Sequence, residues 1–180
     1  MGERISFSRE LLRFEEVAVS HSDTAKSLRF YYTAPSLAHR DPKFIGYSIL
    51  EVLQEQNLRL NDLDKNSVFS LLAALEASFR VDFYLRCYDR KKDDLSRCFR
   101  KINKAKGDKI SFEEDILAAW NIHFPSARMH LSELKGAFRY RHWLAHGRYW
   151  SPRLGKKYDF SSVYLLAQSI HQNLHLLSSE

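Results

Sequence analysis

The sequence predicts an all-α protein, a single domain over residues 1–180 built as an up-and-down bundle of about five or six helices. Three observations favour this fold class. Apolar residues recur at helical spacing along most of the chain, prolines and single glycines stand between the apolar segments, and no stretch has the alternation typical of a strand. Apolar residues make up 44% of the 180 residues, which is enough to build the core of one domain.

The first half of the chain contains two predicted helices and two connections. Apolar residues at helical spacing, after a capping-type Ser, predict a helix over residues 7–19. Two prolines predict a connection across residues 31–42, because Pro disfavours helix at its own position and in the residue before it. A second helix of about three turns is expected over residues 43–56, and the polar run at residues 57–66 is expected to link it to the next helix.

The longest predicted element starts at Ser67. Residues 67–104 are rich in apolar side chains and contain neither Gly nor Pro, which favours one long helix or two helices joined near residues 89–94. The next helix follows a short Gly-containing break. Ser111 and Glu114 have the spacing of a capping box and predict where it begins.

The last part of the chain predicts two further helices around one loop. Pro125 separates the preceding helix from a segment that ends at Gly147, which has the position of a helix C-cap. Residues 148–159 are expected to form a loop, and residues 161–177 a final amphipathic helix.

Charge is concentrated near the end of the chain. The whole protein has a formal net charge of +6, but residues 126–157 contain eight Lys or Arg and one acid, a net of +7. A concentration of positive charge favours an acidic partner such as nucleic acid.

The sequence also predicts a cytoplasmic protein that does not enter a membrane. No apolar run approaches the roughly 20 residues that a transmembrane helix needs, and the first residues lack the apolar core of a signal peptide. The only two cysteines, Cys87 and Cys98, are eleven positions apart. On one continuous helix they would be separated by a rise of about 16 Å, too far for a disulfide.

The most distinctive stretch is RYRHWLAHGRYW, residues 139–150. It holds three arginines, two histidines and four aromatic residues, and no acid. Metal-free RNA cleavage requires a base for the ribose 2′-OH, an acid for the leaving oxygen and a cation for the crowded phosphate. Histidine suits the first two roles because its ordinary pKa is near neutrality, and the guanidinium fork of arginine matches phosphate oxygens. Aromatic side chains can stack on unpaired bases.

Metal binding is the less favoured interpretation of the histidines. His142 and His146 are spaced i, i+4, as are His171 and His175, and such pairs can share one helix face. Neither pair has the Glu of an H-E-x-x-H motif, and no Cys stands at a suitable spacing. No Gly-rich phosphate loop is present either. No metal and no cofactor are therefore expected.

The segment RHWLAH, residues 141–146, resembles the signature of the HEPN superfamily. That signature is an Arg, usually followed by a polar residue, with four to six positions before a His, often written R-N-x-x-A-H. Here His142 stands at the polar position, where Asn is commoner, Ala145 at the small one and His146 at the terminal His. The resemblance implies an all-α bundle that dimerises and a metal-independent endoribonuclease whose site lies at the dimer interface.

The same resemblance implies roles for particular residues. Arg141 would stabilise the phosphate and His146 would act as general acid or base, with His142 sharing the proton transfer or positioning Arg141. An acid on an earlier long helix often supports such a site, and Glu76 is the candidate by position. Arg139 is an alternative to Arg141, because it lies seven residues before His146 and so shares its helix face, whereas Arg141 is about 140° round the helix.

Neighbouring residues are expected to hold the RNA. Arg148 would contact phosphate, while Tyr140, Tyr149 and Trp150 would stack on bases. The expected partners are tRNA or mRNA, a second copy of the chain, and an antitoxin or other regulatory protein, since the resembling proteins serve in toxin–antitoxin, phage-defence and RNA-processing systems. A noncatalytic RNA- or nucleotide-binding dimer, a protein-docking dimer and a purely structural helix end remain the alternatives.

Overall fold

A computed structural model describes residues 6–8, 10–33 and 41–177. Within that part of the chain every regular element is helical and there is no strand, so the predicted all-α class is confirmed. The described α-helices are α1 (Phe14–Tyr32), α2 (Ile49–Tyr88), α3 (Asp94–Lys106), α4 (Ala118–His123), α5 (Arg128–Ala145) and α6 (Phe160–Leu174).

Helix α1 begins later and ends later than the sequence predicts. It starts after Arg13, whose backbone N–H donates to the Glu16 carboxylate at 3.5 Å. Its buried face continues past the predicted end at residue 19 and includes Ala25 and Tyr32, while the positions between them are exposed or half-buried. Tyr32 belongs to α1 and not to the predicted connection, and its hydroxyl donates to Glu55 on α2 at 3.0 Å. Residues 34–40 of that connection lie outside the described residues.

Helix α2 is the main departure from the sequence expectation. It starts at a capping box, in which the Ser48 hydroxyl accepts from the Glu51 N–H and the Glu51 carboxylate accepts from the Ser48 N–H. From there it runs without interruption for 40 residues. The predicted polar link at residues 57–66 is wrong, since all of it is helical. The packing of α1 along this part of α2 overrides the weak turn preference of its Asn and Asp residues.

A turn separates α2 from α3, so the two-helix alternative for residues 67–104 is correct. The Asp93 side chain caps α3 by accepting from the Ser96 N–H at 2.9 Å. Cys87 therefore lies on α2 and Cys98 on α3, and the distance argument based on one helix does not apply to them. Both thiols are free.

The second half of the chain closes the core around the C-terminal half of α2. The Ser111 hydroxyl accepts from the Glu114 N–H at 3.2 Å as predicted, but Asp115, not Glu114, accepts from the Ser111 N–H. Residues Phe112–Leu117 form a π-helical turn that leads directly into α4. The largest fully buried side chains include Phe79, Phe83, Phe99 and Trp120.

Helix α6 ends earlier than expected, at Leu174 and not at residue 177. Its first turn is capped by Asp159, whose carboxylate accepts from the Ser162 N–H at 3.0 Å. Among the residues that the structure describes, no helix has both the length and the apolar character that crossing a membrane would need.

Candidate functional site

The end of α5 has the geometry of a Schellman cap, which presents the histidine motif to solvent. The Gly147 N–H donates to the Leu144 carbonyl at 3.3 Å, and the Arg148 N–H donates to the Trp143 carbonyl at 3.1 Å. Gly147 has a φ of +75°, which glycine adopts readily, so its predicted place at the helix C-terminus is confirmed. His146 is the last residue before this reversal and is exposed.

Arg141 is held by three contacts, two of which are with side chains of α2. Its Nη1 donates to Glu76 Oε2 at 2.6 Å, although the two residues are 65 positions apart. The guanidinium carbon lies 5.4 Å from the Phe69 ring centroid and 5.5 Å from that of Phe138. The Nε atom is buried and has no hydrogen-bond partner, whereas 29% of the side chain is exposed. The guanidinium is thus held in one orientation with part of its surface open.

Glu76 binds a second arginine as well. Its Oε1 accepts from Arg80 Nε at 2.8 Å and from Arg80 Nη2 at 2.7 Å, one helical turn further along α2. Two guanidiniums therefore share one carboxylate, and the three groups together carry a formal charge of +1. Sequence reasoning selected Glu76 and Arg141, and the structure brings them into contact. It missed Arg80, although the i, i+4 spacing from Glu76 is visible in the sequence.

The two motif histidines are neighbours on the exposed side of α5. The ring centroids of His142 and His146 are 4.2 Å apart. The Trp150 ring lies 6.0 Å from His142 and 6.3 Å from His146. His142 follows Arg141 in the chain and lines the same cleft. The structure thus places Glu76, Arg141, His142 and His146 in one continuous region.

A cleft of about 460 Å³ lies beside Arg141. The rings of Phe69, Phe112 and Phe138 contribute apolar surface to it, and Glu113 and Glu114 contribute carboxylates from the turn before α4. Sequence reasoning missed this acidic wall, since residues 111–124 were expected only to form a helix. Their position in the same cleft as Arg141 depends on the packing of the bundle, and no local signal in the sequence predicts it.

Arg139 lies outside this cleft. The side chain is exposed on α5, and Arg141, not Arg139, contacts Glu76. The regular helix indeed turns the two arginines to different sides, as their spacing predicts. The side that faces α2 belongs to Arg141.

The four predicted RNA-binding residues have different surroundings. The Tyr140 ring lies nearly parallel to Trp143, at 5.5 Å, and to Tyr158, at 6.0 Å, and burial raises the pKa of its hydroxyl. It belongs to an internal aromatic stack and not to an open surface. Tyr149, in contrast, is 83% exposed.

Trp150 is half-buried and Arg148 is exposed, and both contact other parts of the bundle. The Trp150 carbonyl accepts from Trp143 Nε1 at 2.6 Å, which ties the loop back onto α5 while its half-buried ring faces the histidines. The Arg148 Nη1 lies 3.5 Å from Asp62 Oδ1, an exposed ion pair to α2. The chain after the histidine pair thus continues directly into Arg148, Tyr149 and Trp150.

The other basic and histidine-rich segments lie elsewhere. Helix α3, which carries much of the basic run at residues 90–109, packs mainly on α2 and α4. The second histidine pair is not on one regular helix, because α6 ends before His175, which has a φ of 33°. His171 is half-buried 4.6 Å from the Phe14 ring, and burial lowers its pKa. In the described parts of the chain, no three His, Cys, Asp or Glu residues are grouped to hold a metal ion.

Comparisons with protein-family models, with curated proteins and with solved structures find no match to this chain.

Proposed function

We propose that this chain is a metal-independent endoribonuclease of the HEPN type. The observation that supports it is the juxtaposition at the end of α5. There, a guanidinium held by Glu76 and two phenylalanine rings stands beside a pair of imidazoles whose centroids are 4.2 Å apart. These groups can fill the three roles that cleavage of RNA without a metal requires, those of base, acid and cation.

The reaction uses the 2′-OH of the RNA itself as nucleophile. One histidine takes the 2′-OH proton as the 2′-oxygen attacks the adjacent phosphorus, and the bond from phosphorus to the 5′-oxygen breaks. A second imidazolium gives its proton to the leaving 5′-oxygen. The products are a 2′,3′-cyclic phosphate and a 5′-OH. His146 is one of the two histidines, and its counterpart is His142 or a histidine of a second protomer.

Arg141 stabilises the crowded phosphate in this proposal. Its orientation is set before RNA binds, so no reorganisation is needed when negative charge develops. Glu76 positions it, and Arg80 offsets the negative charge of Glu76. Without Arg80, the Arg141–Glu76 pair would be neutral and would attract a phosphate less strongly.

RNA binding and regulation complete the proposal. Tyr149 offers an exposed ring for a base, and Trp150 and Arg148 border the histidines. The substrate is tRNA or mRNA, the protein acts as a homodimer in the cytoplasm, and an antitoxin or other regulatory protein restrains it. The protein serves in defence or RNA processing. These parts of the proposal rest on the sequence and on the HEPN resemblance.

A noncatalytic binding dimer is the second candidate. The specific observation in its favour is that Arg141 joins α2 to α5 through Glu76, so the arginine of the motif also has a structural task. In this alternative the same face binds RNA, a nucleotide or a protein and cuts nothing. Binding to RNA with a steep salt dependence, but without fragments, would favour it.

Incubation of the purified protein with mixed tRNA and mRNA in EDTA distinguishes the two. The wild type should yield fragments that end in a 2′,3′-cyclic phosphate, and His146→Ala should lower the cleavage rate by about a hundredfold or more, the typical contribution of a general acid or base. Arg141→Ala should lower it similarly, and Lys101→Ala, which removes an exposed charge from α3, should not. Circular dichroism must show each variant folded. Intact RNA with the folded wild type would contradict the proposal, as would cleavage that survives His146→Ala.

A further inference from the structure

The cleft beside Arg141 contains groups that the cleavage chemistry does not use. Glu113 and Glu114 are exposed at its edge, and neither carboxylate has a hydrogen bond or ion pair to another residue in the described part of the chain. Phe69, which lines the same cleft, keeps 36% of its surface exposed, although Arg141 lies over its ring. The cleft thus contains a partly exposed aromatic ring and two carboxylates without a partner among the described residues.

The charges of the cleft determine which part of an RNA can enter it. Three carboxylates, of Glu76, Glu113 and Glu114, line the cleft. Arg141 and Arg80 both pair with Glu76, so the uncompensated negative charge is that of Glu113 and Glu114. A phosphate placed beside Glu113 and Glu114 would be repelled by their two carboxylates. An uncharged base would not be repelled, so the base binds beside Glu113 and Glu114 while the phosphate binds beside Arg141 and His142.

The hydrogen-bonding character of the cleft narrows the choice of base. An ionised carboxylate only accepts hydrogen bonds, so the ligand must present donors. Guanine has two adjacent donors, N1–H and N2–H, on its Watson–Crick edge. Adenine and cytosine have one amino group next to an acceptor, and uracil has one N–H between two carbonyls. Among the four bases, only guanine can fill both oxygens of one carboxylate with two adjacent donors and place no acceptor against it.

We propose that this cleft is a base-recognition subsite for guanine, with Glu113 and Glu114 as the specificity-determining residues and Phe69 as the stacking surface. The subsite deepens the proposed ribonuclease function, since it places a guanosine next to the bond that is cut. The recognition itself needs no cleavage, because a binding module with the same cleft would select the same base.

The first test measures binding of 5′-GMP, 5′-IMP and 5′-AMP to the full chain by NMR titration or calorimetry. GMP should bind about tenfold or more tightly than AMP, in the range of one bidentate base contact. IMP, which lacks the 2-amino group, should fall between them. The double variant Glu113→Gln/Glu114→Gln should lose the preference, and the single variants identify the residue that carries it. Glu15→Gln, which removes an equal charge from α1, should keep the preference.

Equal affinity for GMP and AMP, no nucleotide binding, or a preference unchanged in the double variant would overturn the subsite. Binding of L-arginine amide in place of nucleotides, lost in the double variant, would also overturn it and would identify the cleft as a site for a cationic side chain of a protein.

Sequencing the 5′-OH ends of RNA fragments separates this inference from the proposed function. Cleavage without a guanine bias would leave the ribonuclease standing and refute the subsite. Selective GMP binding with intact RNA would support the subsite and contradict the ribonuclease.

Discussion

Replacing Asp82 tests whether one buried ion pair stabilises this bundle. The Asp82 side chain is fully buried, and its two oxygens accept from Arg86 Nε at 2.9 and 3.0 Å. It also accepts from the Leu177 N–H at 3.0 Å, which ties the segment after α6 to α2. Arg86 is itself only 8% exposed and lies 5.2 Å from the Trp120 ring. Burial raises the pKa of Asp82, and Arg86 opposes that shift.

The expected cost follows from what Asp82→Ala leaves behind. Breaking a buried ion pair on one side costs about 3–5 kcal/mol. The lower end applies here, because Arg86 keeps a contact with the half-exposed carboxylate of Asp93 at 3.5 Å. The unpaired Leu177 N–H adds about 1 kcal/mol. We expect a loss of about 4 kcal/mol, a large part of the total stability of a single domain.

Urea denaturation followed by circular dichroism measures this loss as a change in the free energy of unfolding. Asp82→Asn should cost less than Asp82→Ala, because the amide oxygen can still accept from Leu177. The double variant Asp82→Leu/Arg86→Met should recover most of the loss, since apolar residues of similar volume replace such pairs at little cost. A loss below about 1 kcal/mol for Asp82→Ala, the value of a surface ion pair, would refute the reasoning.

Two further predictions concern titratable groups. Burial raises the pKa of Cys87 to about 11. Iodoacetamide at about pH 8 should therefore modify Cys98 in the native protein and react with Cys87 only after unfolding. Equal rates of modification of the two thiols in the native protein would contradict this. Burial also lowers the pKa of His21 and His171 from the ordinary value of 6.5. The unfolded state then binds more protons below that value, so the free energy of unfolding should fall as the pH is lowered from about 7 to 5, and His21→Gln/His171→Gln should flatten the profile. Urea titrations at each pH measure this dependence of the unfolding free energy on pH. If the double variant has the same dependence as the wild type, neither histidine is its cause.

The elements that the sequence predicts well are those with local signals. The N-terminal end of the helical turn after Ser111 and the C-terminal end of α5 at Gly147 have recognisable caps, and their side chains or dihedral angles place them within a residue or two. The predicted link at residues 57–66 failed because Asn and Asp favour turns only weakly, and the contact with α1 outweighs that preference.

The candidate site likewise has parts that local sequence patterns predict and parts that they do not. The histidine motif can be read from one helix, and the choice of Glu76 as its acidic partner came from the HEPN resemblance and not from any local pattern. Its contact with Arg141 joins residues 65 positions apart. The position of Glu113 and Glu114 in the cleft depends on how α2, α5 and the turn before α4 pack together, which composition and spacing do not specify.

The uninterrupted length of α2 also separates two surfaces by a fixed distance. Its N-terminal end exposes Ile49, Leu50 and Leu53, of which Ile49 is 82% exposed. Glu76 follows 27 positions later on the same helix, a rise of about 40 Å. The helix therefore acts as a rigid spacer, longer than most small domains are wide. A protein that binds the apolar N-terminal end of α2 reaches the cleft only if it spans that distance. One part of such a partner would bind the apolar end, and a different part would block the cleft.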